Sequence, residues 1–169
     1  MTATAAGLGT GRQFRLAAGR FPSGVTVVTT VADGEPHGTT VNAFTTVSLS
    51  PLMILVVLGA TSRLHDKIHR SGTFTATVLG GHQEDDARWF ADSARPSGLT
   101  GFAGRAWRPA TFSGAPVLTE GIAYFDCAVA AAYPAGDHTV FIGAVEDFER
   151  ISDRPALLFA DSRLTAATP

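Results

Sequence analysis

HGTTVNAFTTVSLSPLMILVVLGATSRLHD, residues 37–66, sets two hydroxyl-rich segments around a run with almost no polarity. Thr45 to Leu49 and Leu52 to Leu58 read as two strands joined at Ser50-Pro51, because β-branched and alternating residues on either side of a proline suit a hairpin better than a helix. The second strand is so apolar that both of its faces should be covered, which predicts a central position in a sheet. It ends in Thr61-Ser62-Arg63, where a hydroxyl can cap a helix running to about Arg70 and stopped by Ser71-Gly72. Backbone N–H groups at such a helix start, with the planar fork of Arg63 beside them, suit a phosphate. A capped helix with a surface arginine would leave the same trace.

Working outward, Phe14, Ala17, Ala18 and Phe21 fall at helical spacing until Pro22-Ser23-Gly24 stops them, and residues 1–12 read as a mobile leader. Val25 to Val31 and His37 to Val41, joined at Asp33-Gly34, predict a hairpin. Phe74 to Leu79 returns to strand. Glu84-Asp85-Asp86 opens a further helix with its acids at the positive end and Trp89 and Phe90 turned inward. Ala94 to Gly121 is rich in glycine and proline without steady periodicity, and reads as a long loop or lid over a site. Ile122 to Tyr133 and Thr139 to Asp147 are long strands linked by Pro134-Ala135-Gly136-Asp137-His138, and Ala156 to Ala160 supplies a last short one. Seven or eight strands against three short helices, mostly in hairpins, predict a mainly β, antiparallel, closed or partly closed barrel. Parallel doubly wound sheets need more helices.

The whole chain, 169 residues at 45% hydrophobic and 17% charged, has the makeup of one ordinary compact domain, expected over residues 13–165. A formal net charge of −2 offers no basic stripe for nucleic acid and no polybasic patch for lipid. The longest apolar run, Leu52 to Ala60, is far short of the roughly 20 residues a spanning helix needs, and no secretory signal opens the chain, so a cytoplasmic protein is expected. The single cysteine, Cys127, lies in the apolar stretch IAYFDCAVAAAY and reads as a buried, inert thiol.

Several motifs carry less than they suggest. GLGTG at 7–11 follows no strand, and GLTGFAG at 98–104 has the wrong glycine spacing for a dinucleotide loop. His65 and His69 lie four apart on a helix, a two-imidazole spacing, yet no glutamate follows His65 and no third metal ligand has recognisable spacing. No G-x-S-x-G is present for acyl transfer. His138 is presented by a tight turn between two long strands and is either a site residue or a solvated turn histidine, with Asp137 able to orient its ring or to serve the turn. Asn42, after a strand, offers a donor and an acceptor together, and turn chemistry would account for it equally.

FPSGVTVVTT (21–30), GEPHGTTVNAFTTVSLSP (34–51), TSRLHD (61–66), FAG (102–104), GAPVL (114–118) and YPAGDHTVFIGAVE (133–146), in this order, resemble the short flavin reductases that serve two-component flavin-dependent monooxygenases. The resemblance covers about residues 14–160. It implies a Greek-key split β-barrel that forms a homodimer, binds FMN or FAD near the subunit interface, reduces it with NADH or NADPH, and passes reduced flavin to a partner monooxygenase. By the matching motifs it implies that Thr40, Asn42, Ala43, Phe44, Thr45, Thr46 and Ser48 border the flavin ring and ribityl chain. Thr61, Ser62, Arg63 and His65 would hold the phosphate end, with Phe102 in the flanking loop, and His138 would help place the nicotinamide. Thr77 stands where relatives often carry asparagine, and FADSRL (159–164) lacks the usual aromatic after its arginine.

Overall fold

The computed structural model describes residues 10–168. In chain order it runs α1 (Gly11–Ala18), β1 (Ser23–Gly24), β2 (Thr26–Ala32), β3 (Glu35–Val41), β4 (Phe44–Leu49), β5 (Leu52–Gly59), α2 (Arg63–Ser71), β6 (Thr73–Val78), α3 (Glu84–Ala91), a 3-10 helix (Gly98–Phe102), β7 (Trp107–Pro109), β8 (Pro116–Leu118), β9 (Ala123–Ala135), β10 (His138–Arg150), β11 (Leu157–Ala160) and β12 (Arg163–Ala166).

Seven antiparallel strands form one sheet in the order β3-β2-β6-β9-β10-β5-β4. Its two edge strands, β3 and β4, are consecutive in the chain, separated only by Asn42 and Ala43. A two-residue link spans only about 10 Å, so the sheet has to curl until its opposite edges face each other. Ala43 accepts a hydrogen bond from Val57 N of β5 at 3.0 Å, which carries the β4–β5 ladder one step into the link. Among the described residues no hydrogen-bonded ladder joins β3 to β4, so the antiparallel sheet curls without closing. Helix α2 packs against β2, β3, β5 and β6 and fills the concave side. Ser62 caps it by accepting from His65 N, and Gly72 ends it at a φ of 69°, as the sequence predicts.

Strand β2 separates two cores. Val28 joins Val41, Ile54, Val56, Leu64, Ile68, Phe74 and Phe141 beneath α2. Val25 and Val27 join Leu79, Phe90, Phe102, Leu118 and Leu157 on the other side. A segment buried on both faces has to be apolar or internally satisfied at every position. The threonines interleaved with those valines accordingly donate to backbone carbonyls, Thr26 to Val41 O and Thr29 to Pro116 O, both at 2.7 Å.

Several expectations are corrected. β5 is not central but next to the edge: Ile54, Val56 and Leu58 are buried, while Met53, Leu55 and Val57 on its other face are half-buried and Leu52 is exposed. Uniform apolarity reveals that both faces avoid water, not which is covered by the same chain. Residues 94–121 are not a plain loop. They form the 3-10 helix and the β7–β8 hairpin, walled into the second core by Phe102 and Leu118, while Val117 packs with Ala110 and Tyr124 in a small cluster of its own. Asp126 pins the turn of that hairpin, accepting from Phe112 N at 2.9 Å, Ser113 N at 3.0 Å and Thr75 Oγ1 at 3.0 Å. Helix α1 begins at Gly11 under a Thr10–Gln13 capping box, so the end of the expected leader is helical; residues 1–9, with most of GLGTG, lie outside the described residues. Strand β12 was not anticipated. It pairs with β11 through Asp161-Ser162, both at positive φ (49° and 61°), as a tight two-residue hairpin turn demands.

Candidate functional site

The seam between β3 and β4 gathers most of the residues singled out from the sequence. Along β3, Thr40 Oγ1 donates to Ala87 O of α3 at 2.6 Å, and the Asn42 side chain is exposed at the link. Along β4, Thr45 and Thr46 are exposed, and Ser48 is half-buried with its Oγ accepting from Ser50 N at 3.2 Å. Both strands are edges, so each has a row of backbone groups without a ladder partner. Unpaired N–H groups beside short hydroxyls can serve a flat ligand with polar edges.

Two cavities flank this stretch. One, of about 290 Å³, is lined by Thr40 and Asn42 together with Val25, Ala87, Ala91 and Leu164. The other, of about 280 Å³, lies past Thr46 and Ser48 and is walled by Leu49, Leu52, Phe125, Val145 and Phe148. The half-buried Phe44 ring packs on Phe125, ring centroids 5.6 Å apart, against the first core. Phe102 does not reach the site by its side chain at all: it is 1% exposed, in contact with Phe90 and Trp107 in the second core. FAG is legible as a motif, but its aromatic is a packing residue.

The same end of the sheet carries the second group. His138 opens β10 opposite Gly59, the last residue of β5, and Ala60 N donates to Asp137 O at 3.0 Å. Thr61, Ser62 and Arg63 follow directly, which brings His138 and the start of α2 together. His138 Nδ1 lies 2.7 Å from Asp137 Oδ1. A carboxylate only accepts, so Nδ1 is the donor and Nε2 is left free of this bond. The bond to His138 holds the Asp137 carboxyl below its ordinary range. His65 is less available: Nδ1 meets Asp66 Oδ1 and Nε2 meets Thr139 Oγ1, both at 3.0 Å, and its ring packs on His69 and Phe141. Among the described residues no three His, Cys, Asp or Glu side chains gather as a metal site. Cys127 is buried, and desolvation, with Asp126 and Glu146 adding to it, pushes its thiol up to about 12.

Arg63 donates to Ser97 Oγ at 2.9 Å and to Ser93 O at 2.8 Å, tying α2 to the loop after α3. That loop contains a residue the sequence reading passed over. Arg95 is 4% exposed, donates to Gly38 O of β3, and lies over the Phe90 ring at 4.9 Å. Beside it on β3 is His37, also buried, whose imidazole is lowered to about 4 by desolvation first, then by Arg95, Arg63 and Lys67. Arginine in a Gly/Pro-rich stretch carries no periodic signal, so only the fold reveals that Arg95 turns inward.

A family model described as a flavin reductase like domain matches residues 18–168. An NADH-dependent FAD reductase from Streptomyces globisporus is 41% identical over 157 residues, 93% of this chain and 86% of the relative. The reductase subunit HsaB of a flavin-dependent monooxygenase from Rhodococcus jostii is 35% identical over 94% of this chain and 78% of its own length. Among solved structures, the S. globisporus NADH:FAD oxidoreductase SgcE6 superposes with a TM-score of 0.88 at 39% identity, covering 94% of this chain and 93% of that one. BorF, the flavin reductase component of a bacterial two-component tryptophan halogenase, gives 0.89 at 36% identity, covering 93% and 98%. By sequence and by fold alike, this chain belongs to the family of flavin reductase like domains.

Proposed function

We propose that the protein is an NADH-dependent flavin reductase that supplies reduced flavin, FMN or FAD, to a separate flavin-dependent monooxygenase. The observation that carries this reading is the seam at Asn42–Ala43, where two free sheet edges, the start of α2 and His138 meet in a chain matched to the family over 18–168. We read the curled sheet as a split barrel, residues 13–165 as one domain, and the protein as cytoplasmic; no described helix is long and apolar enough to cross a membrane.

The chemistry is hydride transfer from nicotinamide C4 to flavin N5, which requires the rings to approach to about 3–3.5 Å, so orientation is the main task of the protein. Unpaired N–H groups of β3 and β4 from Asn42 to Ser48, with the Thr45 and Thr46 hydroxyls, stabilise the negative charge that builds at the pyrimidine end of the ring. Thr61, the first-turn N–H groups of α2 and Arg63 hold the phosphate end. His138, its ring fixed by Asp137, places the nicotinamide and need not transfer a proton.

A second copy completes the site in this reading. Leu49 (86% exposed), Leu52 and Phe148 (57%) form an apolar surface contiguous with the cavity beside Ser48. Such a patch beside a binding seam is expected in a homodimer.

The test is anaerobic mixing of the protein with NADH and excess FMN or FAD, followed at 340 and 450 nm. Bleaching of many flavin equivalents is expected. Flavin that binds and never bleaches would overturn the reductase reading and leave a binding module; yellow cofactor that survives purification would favour a tightly flavinated oxidase.

A further inference from the structure

Arg95 is the one arginine buried among the described residues, and no carboxylate lies within ion-pair distance of it. Its guanidinium passes between Gly38 and Gly101: one nitrogen donates to Gly38 O, and another lies 3.6 Å from where a Cβ on residue 101 would stand. A side chain at 38 would meet Thr29 at 3.0 Å and Phe102 at 3.3 Å, and one at 101 would meet Pro96 O at 2.5 Å, so the chain packs closely on both sides of the guanidinium. Nε of Arg95 is buried with no hydrogen-bond partner. Leaving a buried guanidinium donor without an acceptor is costly, and native proteins rarely tolerate one without a use.

The surroundings make the charge harder to carry. Burial lowers the basicity of Arg95 first, Arg63 from α2 and Arg105 lower it further, and Asp92 offsets them only from beyond ion-pair distance. Lys67, also on α2, has Glu35 at 3.3 Å. Arg63 has only neutral partners, Ser97 Oγ and Ser93 O, which leave part of its fork free. Two arginines on separate elements, neither paired with an acid and both with donors in hand, form an incomplete oxyanion site.

We propose that Arg95 is a phosphate ligand of the bound nucleotide, acting with Arg63, whose bonds to Ser93 and Ser97 make the segment that carries Arg95 a strap tied to the start of α2. This deepens the reading above and rests on it for the identity of the nucleotide, not for the anion chemistry. His37 is a built-in reporter: burial first, then Arg95 from the strap and Arg63 and Lys67 from α2, disfavour its charged form, and an added phosphate anion relieves the cationic part of that effect.

The first test leaves the protein unaltered. The His37 imidazole is titrated by NMR alone, with riboflavin, with FMN, and with inorganic phosphate. A rise of about one pH unit or more with FMN and phosphate, absent with riboflavin, is expected. No rise with either phosphate-bearing probe overturns the proposal. The second test measures riboflavin, FMN and FAD dissociation constants and the KM for NADH in Arg95→Gln and Arg95→Lys. Weakening of FMN and FAD by roughly tenfold or more in Arg95→Gln with riboflavin unchanged, and a smaller loss in Arg95→Lys, supports a flavin phosphate. A rise in the KM for NADH alone assigns the same site to the nicotinamide nucleotide. Equal weakening of riboflavin and FMN makes Arg95 a packing residue and overturns the proposal. NADH-driven riboflavin reduction is read in the same samples, so failure of the phosphate site is distinguishable from failure of the reductase reading.

Discussion

His37 titrates near 4 in the folded chain and near its ordinary 6.5 once unfolded, because burial and three flanking cations disfavour its charged form. The folded state therefore binds fewer protons at this position, and the stability it contributes is complete above about 6.5 and lost as pH falls toward 4. Thermal unfolding followed from pH 7 to 4 should show this loss, and His37→Gln should flatten that part of the curve; an unchanged slope would remove His37 as its source. At the proposed site, His138→Ala should lower kcat/KM for NADH and leave flavin affinity nearly intact, since the ring is fixed by Asp137 and not by β3 or β4. Unchanged NADH kinetics would take His138 out of the mechanism. Residues announced by local chemistry were readable in the sequence: a cap at Thr61 or Ser62, which the fold assigns to Ser62, His138 in its turn, the hydroxyls after Asn42. Arg95 and His37 were not, since their importance lies in what surrounds them, and residues 37, 63 and 95 come together only through the fold.

Elements with a strong period or a clear stop were equally readable, and those defined by a neighbour were not. The β2–β3 hairpin and α2 follow from Asp33-Gly34, Ser62 and Gly72. The β7–β8 hairpin is three residues a side and depends on Asp126, a residue from another strand, to hold its turn. Strand β5 shows the opposite error, a strong signal placed one layer too deep. Close strand packing also sets a test at this scale. Gly143 on β10 lies under Phe74 of β6, and an added Cβ would meet the ring at 2.6 Å and Cys127 Cβ at 2.8 Å. Gly143→Ala should destabilise the fold by about 1–3 kcal/mol, the usual range for overpacking a closed core. Adding Phe74→Leu should recover part of that loss, measured by denaturant unfolding; strictly additive effects would mean that the ring and residue 143 do not compete for space.

For the molecule as a whole, the decisive question is what lies against the outer face of β5, β4 and β10. Leu49, Leu52, Val47 and Phe148 are exposed together there, and Met53, Leu55 and Val57 stay half-buried behind them. Phe14 and Leu16 of helix α1, which buries none of its residues, and Phe21 just after it are exposed as well. A chain that leaves this much apolar surface in water would self-associate unless a defined partner covers it. The patch adjoins Ser48 and Thr46, so a second copy placed on it would also wall the flavin seam, and assembly and flavin binding become linked. Light scattering at micromolar concentration should give twice the chain mass. Leu49→Asp with Phe148→Asp should yield a folded monomer with unchanged far-ultraviolet circular dichroism, because both side chains lie outside the cores. That monomer should bind FMN several-fold more weakly than the dimer. A wild-type monomer would remove the dimer from the account, and a monomeric variant with full FMN affinity would show that one chain suffices for the site.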